Sequence, residues 1–195
     1  ITLSCLQPLD YGFYRKPADL GTWVGNNVVP AEIDIKFKDE SVRVYQKPRR
    51  HGIKEAELIK EHVQKLLDLK VVEKAPPGCL YASNLTMARK KDLNGVWTDT
   101  RCCLDLRAIN NQTLPDHYVP VNPEDIFLDI AGAKHKTCLD LAKASHQCVL
   151  SEDARNKCAF WGPDNVLYRY IRMPFGPVNS GSVFQRAMDS ANDGV

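Results

Sequence analysis

Several features that would narrow the class of this protein are missing from its sequence. The 195 residues contain no C-x-x-C pair, which argues against a zinc ribbon and against a dithiol redox motif. No apolar run reaches the length of a membrane-spanning helix, and the first residues lack the pattern of a signal peptide. Seven cysteines, an odd number, therefore predict reduced thiols in an intracellular compartment.

An excess of one charge is also missing. The formal net charge is only +2, which is weak for a nucleic-acid binder, because such proteins gain affinity when cationic side chains displace counterions. A local basic patch does not require a large net positive charge, so the low net charge does not exclude nucleic-acid binding. The chain starts at Ile1 without an initiator Met, and we expect it to be a piece of something longer.

What is present fits a globular protein of mixed structure. The sequence is 44% hydrophobic and 26% charged, and its length suffices for one ordinary domain or two small lobes. Helical and strand patterns are mixed without regular alternation, and neither internal repeats nor low-complexity tracts interrupt them. The predicted fold class is therefore α+β.

The first half of the chain predicts an irregular leader, a helix and a hairpin. Residues 1–40 are rich in Pro and Gly, with one expected strand near residues 33–37. Apolar residues recur at helical spacing over residues 53–73, before the Pro-Pro-Gly segment stops the helix. Two short strand patterns, 85–88 and 101–106, flank a turn-rich segment and predict a hairpin.

Pairing of these two strands would gather four cations at one end of the hairpin: Arg89, Lys90, Lys91 and Arg101. Such a cluster is commonly a solvated tip. It is also a suitable grip for phosphates, because ammonium and guanidinium groups suit a polyanion. The residues alone leave both interpretations open.

A second hairpin and a helix are predicted toward the end of the chain. Residues 156–176 place apolar strands around the turn signal of residues 162–165. The following segment predicts a helix whose N-cap is Ser180 or Ser182. Its buried face would carry Val183, Phe184 and Met188.

One carboxylate stands out between these regions. Asp140 follows a short apolar strand pattern, Thr137 to Leu139, and precedes another apolar residue. A charge in such a place is costly unless a partner meets it. Asp140 is therefore either a capped or paired buried acid, or a ligand for something positive.

Five segments, in order, resemble the fingers and front palm of reverse transcriptases of gypsy-type long-terminal-repeat retrotransposons. The similarity covers residues 41 to 192. The five segments are PGCLYASNLTMARKKD from Pro77, RCCLDLRAIN from Arg101, LDLAKASHQ from Leu139, KCAF from Lys157 and MPFGPVNSGSVFQRAM from Met173. Each match is weak by itself, whereas five in the correct order and spacing are specific.

The resemblance implies a nucleotidyl-transfer site. Asp140 would be the first catalytic aspartate and a ligand of two magnesium ions, with the carbonyl of Leu141 as a further ligand. The implied nucleotide-binding residues are Lys90, Arg101, Lys143, Ala144, Ser145 and Phe175. The implied nucleic-acid contacts are Arg89, Lys91, Arg107, Asn110 and Lys157. The implied organisation is a leader at 1–40, fingers at 41–114 and 148–179, and palm at 115–147 and 180–195.

The sequence also differs from the family's pattern at several positions. The family's aromatic-x-Asp-Asp motif, which supplies the other metal ligands, is absent from these residues, and no Asp-Asp pair occurs elsewhere in the sequence. Ser145 stands where the family has an aromatic residue beneath the incoming sugar, and Asn84 stands where proline is usual. Lys143 and Ala144 replace a Ser-Gly pair, so the lysine is a possible ion-pair partner of Asp140.

Two functions follow from these patterns. One is an RNA-directed DNA polymerase seen as a fragment, inactive by itself, which needs magnesium only when active and acts on RNA or an RNA/DNA duplex. The other is a domesticated, non-catalytic domain that serves as a structural, RNA-contacting or protein-contacting subunit of a larger assembly. Both predict protein partners or further palm and thumb segments, and neither needs a membrane segment.

Overall fold

The computed structural model describes residues 33–91, 95, 97–118, 122–136 and 144–192. Helices and antiparallel strands are mixed in it, so the predicted α+β class is confirmed. The helices are α1 (Ile53–Asp68), α2 (Arg107–Gln112), α3 (Pro123–Ala131), α4 (Glu152–Lys157) and α5 (Ser180–Asn192). The strands are β1 (Val72–Lys74), β2 (Leu85–Lys91), β3 (Trp97–Leu104), β4 (Ala159–Trp161) and β5 (Leu167–Tyr170).

Helix α1 forms where the apolar stripe predicted it but ends earlier. Ile59, Val63 and Leu66 are buried, as their helical spacing requires. Lys70 adopts a left-handed conformation with φ 52°, and the amide of Val71 donates to the carbonyl of Leu66 at 2.9 Å. These features close the helix in a Schellman-type end. The predicted extension to residue 73 is wrong, because the chain turns there and enters β1.

A three-stranded antiparallel sheet holds much of the core. Its strand order is β1-β5-β4, with Val72 paired to Tyr170 and Ala159 paired to Arg169. The hairpin predicted between residues 156 and 176 is confirmed by the β4–β5 pairing. Phe160 is fully buried, and its ring lies 5.2 Å from that of Tyr170.

The other hairpin is a two-stranded ribbon formed by β2 and β3. Its register pairs Leu85 with Leu104, and Met87 with Cys102, on the face that packs against the core. The predicted hairpin is confirmed, and its strands extend further toward the tip than the apolar pattern indicated. The strand β3 ends at Leu104 instead of residue 106.

Two smaller predictions need correction. Residues 33–37 form only isolated bridges, Ile33 to Leu150 and Phe37 to Thr113, so no continuous strand forms because the two positions pair with different segments. Helix α5 already begins at Ser180, so neither Ser180 nor Ser182 is its N-cap. The predicted buried face is right for Val183 and Phe184, which pack against the core.

Candidate nucleic-acid interface

The ribbon formed by β2 and β3 aligns the predicted cations. Arg101 lies opposite Ala88, and Lys90 lies opposite Asp99, so the positions of Lys90 and Arg101 are diagonal neighbours on the face away from the core. Arg101 is exposed to solvent. The pairing thus brings the two segments of the predicted triphosphate grip together, while the side chains of Arg89, Lys90 and Lys91 lie outside what the structure describes.

The loop that carries Phe175 lies at the root of this ribbon. Phe175 is 63% exposed, and Gly176 has φ +113°, a conformation that L side chains rarely adopt. An added Cβ at Gly176 would lie 4.0 Å from the carbonyl oxygen of Leu104, the last residue of β3. The loop therefore presents an exposed ring beside the strand that carries Arg101.

Asn110 holds this loop in place. Its Nδ2 donates to the carbonyl of Gly176 at 2.8 Å, and its Oδ1 accepts a hydrogen bond from the amide of Val178 at 3.0 Å. The resemblance implied that Asn110 contacts nucleic acid. In the structure its amide group supports the Phe175 loop.

A short 3-10 turn, Ala144–Gln147, reaches the same loop. His146 is buried, with its Nδ1 3.1 Å from the carbonyl oxygen of Met173 and its ring 5.2 Å from that of Phe175. The half-buried Ser145 precedes it. The predicted residues Asp140, Leu141 and Lys143, and the strand predicted before them, lie outside the described residues. The turn nevertheless begins four residues after Asp140.

Asp105, to which the sequence patterns assigned no role, forms a charged centre next to this surface. Its side chain is 5% exposed, and Arg107 donates to it through Nε at 2.8 Å and Nη2 at 2.7 Å. Arg49, from a distant part of the chain, donates through Nη2 to the same Oδ2 at 3.3 Å. The hydrogen bond from Arg107 outweighs the cost of burial and lowers the pKa of Asp105 to about 2.

Asn84, the residue that replaces the family's usual proline, is a buried hub. Its Nδ2 donates to the side chain of Gln46 and to the carbonyl of Lys47, both at 3.0 Å. Its Oδ1 accepts from the amide of Arg49 at 3.1 Å, and its own carbonyl accepts from the amide of Asp105 at 2.9 Å. The replacement of the family's usual proline by asparagine was the available signal in the sequence.

The prediction for Lys157 needs correction. Its side chain is 1% exposed, and its ammonium donates to Glu40 at 2.8 Å, to Asp153 at 2.7 Å and to the carbonyl of Ile35 at 2.7 Å. It also lies 4.3 Å from the ring centre of Phe37. The resemblance implied a nucleic-acid contact, but carboxylates on two segments bind the ammonium inside the fold. Lys157 is therefore not available to a phosphate.

The described part of the chain contains no group of three or more His, Cys, Asp or Glu side chains placed to hold a metal ion. The magnesium site implied by Asp140 thus depends on residues outside that part. In the same described residues, no helix has both the length and the apolar character needed to cross a bilayer.

Comparison with known proteins gives a consistent set of relatives. The chain is 35% identical to the retrovirus-related Pol polyprotein from transposon 412 of Drosophila melanogaster over 162 residues, which is 83% of this chain and 13% of that polyprotein. It is 38% identical to that from transposon gypsy of the same organism over 89 residues, 46% of this chain and 8% of the relative.

A viral protein is similar over nearly the same share of the chain. The enzymatic polyprotein of cauliflower mosaic virus (strain D/H) is 30% identical over 162 residues, 80% of this chain and 23% of that protein. No protein-family model matches the chain. The chain thus spans less than a quarter of the length of these three relatives. It belongs to the family of retroelement Pol polyproteins, and the resemblance to a reverse-transcriptase region carried by its five ordered segments is confirmed.

Proposed function

We propose that this chain is the nucleotide-binding part of an RNA-directed DNA polymerase, comprising its fingers and front palm. One observation carries the proposal: the loop with Phe175 contacts two other segments that the resemblance assigned to nucleotide binding. The three segments are β3 with Arg101, the loop with Phe175, and the turn with Ser145. The loop approaches Leu104 at the end of β3, and the Phe175 ring lies 5.2 Å from that of His146 in the turn. The three segments are 30 or more residues apart in sequence, so the fold, not chain continuity, brings them together.

Each segment has a chemical task at this surface. Arg101 and Lys90 would bind the negatively charged triphosphate of an incoming nucleotide. The exposed ring of Phe175 offers an apolar face on which a template base or its sugar can pack, and its backing by His146 restricts its movement. The turn at Ala144–Gln147 would place backbone amides near phosphate oxygens.

Asp140 and the carbonyl of Leu141 would hold magnesium. Two magnesium ions, when bound, stabilise the attacking and leaving oxygens of nucleotidyl transfer. A single carboxylate is too few for two such ions. The family's aromatic-x-Asp-Asp motif would supply the remaining carboxylates, from further Pol residues or from a partner chain.

A second function is favoured by helix α3. This helix buries none of its residues, and Ile126, Phe127 and Leu128 are all exposed. An exposed apolar surface of this kind is typical of a contact with another protein segment. A non-catalytic domain of a larger assembly would use this face as a docking surface and keep the ribbon for RNA contact.

Primer extension distinguishes the two functions. The chain, extended by the Pol residues that carry the aromatic-x-Asp-Asp motif, is incubated with a primed RNA template, deoxynucleoside triphosphates and Mg²⁺, alongside its Asp140→Asn variant. The polymerase proposal predicts extension that this substitution abolishes. Equal extension by both proteins removes Asp140 from the mechanism. RNA binding without any extension by either protein supports the non-catalytic subunit.

A further inference from the structure

The segment Lys47–Arg50, with sequence KPRR, is exposed, basic and held firmly in place. The side chain of Asn84 fixes its backbone at Lys47 and Arg49. Just before it, the indole Nε1 of Trp161 donates to the carbonyl of Gln46 at 2.7 Å. Because the backbone is already ordered, a ligand that binds here causes little additional loss of conformational entropy in the protein.

The arginine of this segment meets a second arginine on one buried carboxylate. Arg49 and Arg107 both donate through Nη2 to Oδ2 of Asp105, at 3.3 and 2.7 Å, so the two nitrogens are at most about 6 Å apart. Their side chains remain 46% and 81% exposed. Two cations share one acid, so this centre keeps a net positive charge at neutral pH.

We propose that Arg49 and Arg107 form a two-arginine phosphate clamp, and that Asn84 and Asp105 are the positioning residues that assemble it. The ligand is the phosphodiester backbone of a single-stranded nucleic acid. A guanidinium has five N–H donors in a planar fork, and Asp105 uses only part of each fork. The outward donors of both forks can therefore meet the oxygens of one phosphate or of two successive ones.

A polyanionic strand fits this surface better than a compact phosphate ligand. The positive side chains of Lys47 and Arg50 are exposed on the same ordered segment. Tyr45, two residues before it, is largely exposed and packs edge-on against Trp161 at 5.9 Å. Cations in a row with an exposed aromatic ring suit a strand that passes along the surface. The clamp rests on the proposed function only in its choice of nucleic acid as the ligand.

The test measures binding of a fluorescent single-stranded RNA 12-mer by anisotropy, with the whole 195-residue chain, over a range of salt concentrations. The expected result for Arg49→Gln and Arg107→Gln is weaker binding. The slope of log K against log salt should also fall by roughly 0.7 for each RNA phosphate that the variant no longer neutralises. Arg50→Gln removes the same charge from the next residue, and we expect it to weaken binding less than Arg49→Gln does. Equal effects of these two variants would mean that only total charge matters.

Variants of the positioning residues test whether RNA affinity rises or falls. Asp105→Asn makes the surface more positive, so charge alone predicts tighter RNA binding, whereas a clamp without its organiser binds more weakly. Asn84→Ala changes no charge and is expected to reduce the salt slope as Arg49→Gln does. Thermal unfolding and the fraction of protein competent to bind are recorded for each variant. Tighter binding by Asp105→Asn, or an unchanged slope for Asn84→Ala, overturns the clamp.

Two further measurements show whether the clamp and the proposed nucleotide-binding function fail independently of each other. Inorganic tripolyphosphate should compete poorly with the RNA, and strong competition would assign the site to a compact phosphate ligand. If Arg101→Gln weakens nucleotide binding while Arg49→Gln leaves RNA binding unchanged, the clamp fails and the proposed function stands. If Arg49→Gln weakens RNA binding while Arg101→Gln leaves nucleotide binding unchanged, the clamp stands and the proposed nucleotide grip fails.

Discussion

Replacement of Lys157 by Met should destabilise the fold and leave RNA binding by the folded protein unchanged. The ammonium is buried, but the two carboxylates that pair with it, Glu40 and Asp153, are 57% and 59% exposed. When the lysine is removed, both acids can be rehydrated. The remaining effect is the loss of the hydrogen bond to the carbonyl of Ile35 and of some packing around Phe37. We expect a cost of about 1–3 kcal/mol.

The reverse change should cost more. The double substitution Glu40→Gln and Asp153→Asn leaves a buried ammonium without a carboxylate, and an uncompensated buried charge costs roughly 3–5 kcal/mol. Two substitutions at exposed positions are thus expected to destabilise the protein more than one substitution at a buried position. The double variant is expected to be less stable because the buried lysine, not the exposed carboxylates, loses its hydration when the protein folds.

Urea unfolding measures both quantities. Free energies of unfolding are compared for the parent chain, Lys157→Met and the double carboxylate variant, with Lys60→Met as the control for the same chemical change at an exposed site of α1. The control should change the free energy of unfolding by less than about 0.5 kcal/mol. A larger destabilisation by Lys157→Met than by the double variant would refute this explanation. A changed salt slope of RNA binding for Lys157→Met would restore the surface role predicted from the sequence.

Three other predictions concern single positions. Gly162→Ala would place the new Cβ 2.5 Å from the ring of Tyr168, so the melting temperature of this variant should fall by several degrees. Gly132→Ala is the control, because nothing lies within 4 Å of a Cβ there, and it should not lower the melting temperature. The pKa of Asp105 is lowered to about 2, so its ionised carboxylate stabilises the fold by about 2 kcal/mol. This stabilisation is fully present above pH about 4 and is lost as the pH falls through about 2. The free energies of unfolding of the parent and of Asp105→Asn should therefore converge over this pH range, and a constant difference between them would contradict the prediction. Phe175→Ala should change the free energy of unfolding by less than about 1 kcal/mol, since the ring is mostly exposed, but should weaken nucleotide binding, and unchanged binding removes Phe175 from the site.

Local patterns were sufficient to predict both hairpins and the helices α1 and α5, but not α2, α3 and α4. Periodic apolar residues predicted α1 and α5, and turn residues predicted both hairpins, because these signals act over short stretches of chain. The end of α1 was missed because the left-handed position is occupied by Lys70 instead of the usual glycine. The failed strand at residues 33–37 depended on two distant partners, which a local pattern does not show.

Side-chain roles in the site were predictable only in part. The strand pattern was sufficient to place Lys90 and Arg101 on neighbouring segments, because hairpin register follows from the turn. The burial of the Lys157 side chain depends on its ion pair with Glu40, which is 117 residues away in sequence. The pairing of Arg49 with Asp105 likewise joins segments 56 residues apart. Long-range ion pairs of this kind leave no periodic signal in a single sequence.

The most direct test of the central claim is an NMR titration of the chain with a deoxynucleoside triphosphate and Mg²⁺. If three segments form one nucleotide site, the backbone amides of Arg101, of the turn Ala144–Gln147 and of Gly176 will shift together and with one dissociation constant. Shifts confined to one of these segments, or found only elsewhere in the chain, would contradict a shared nucleotide-binding surface.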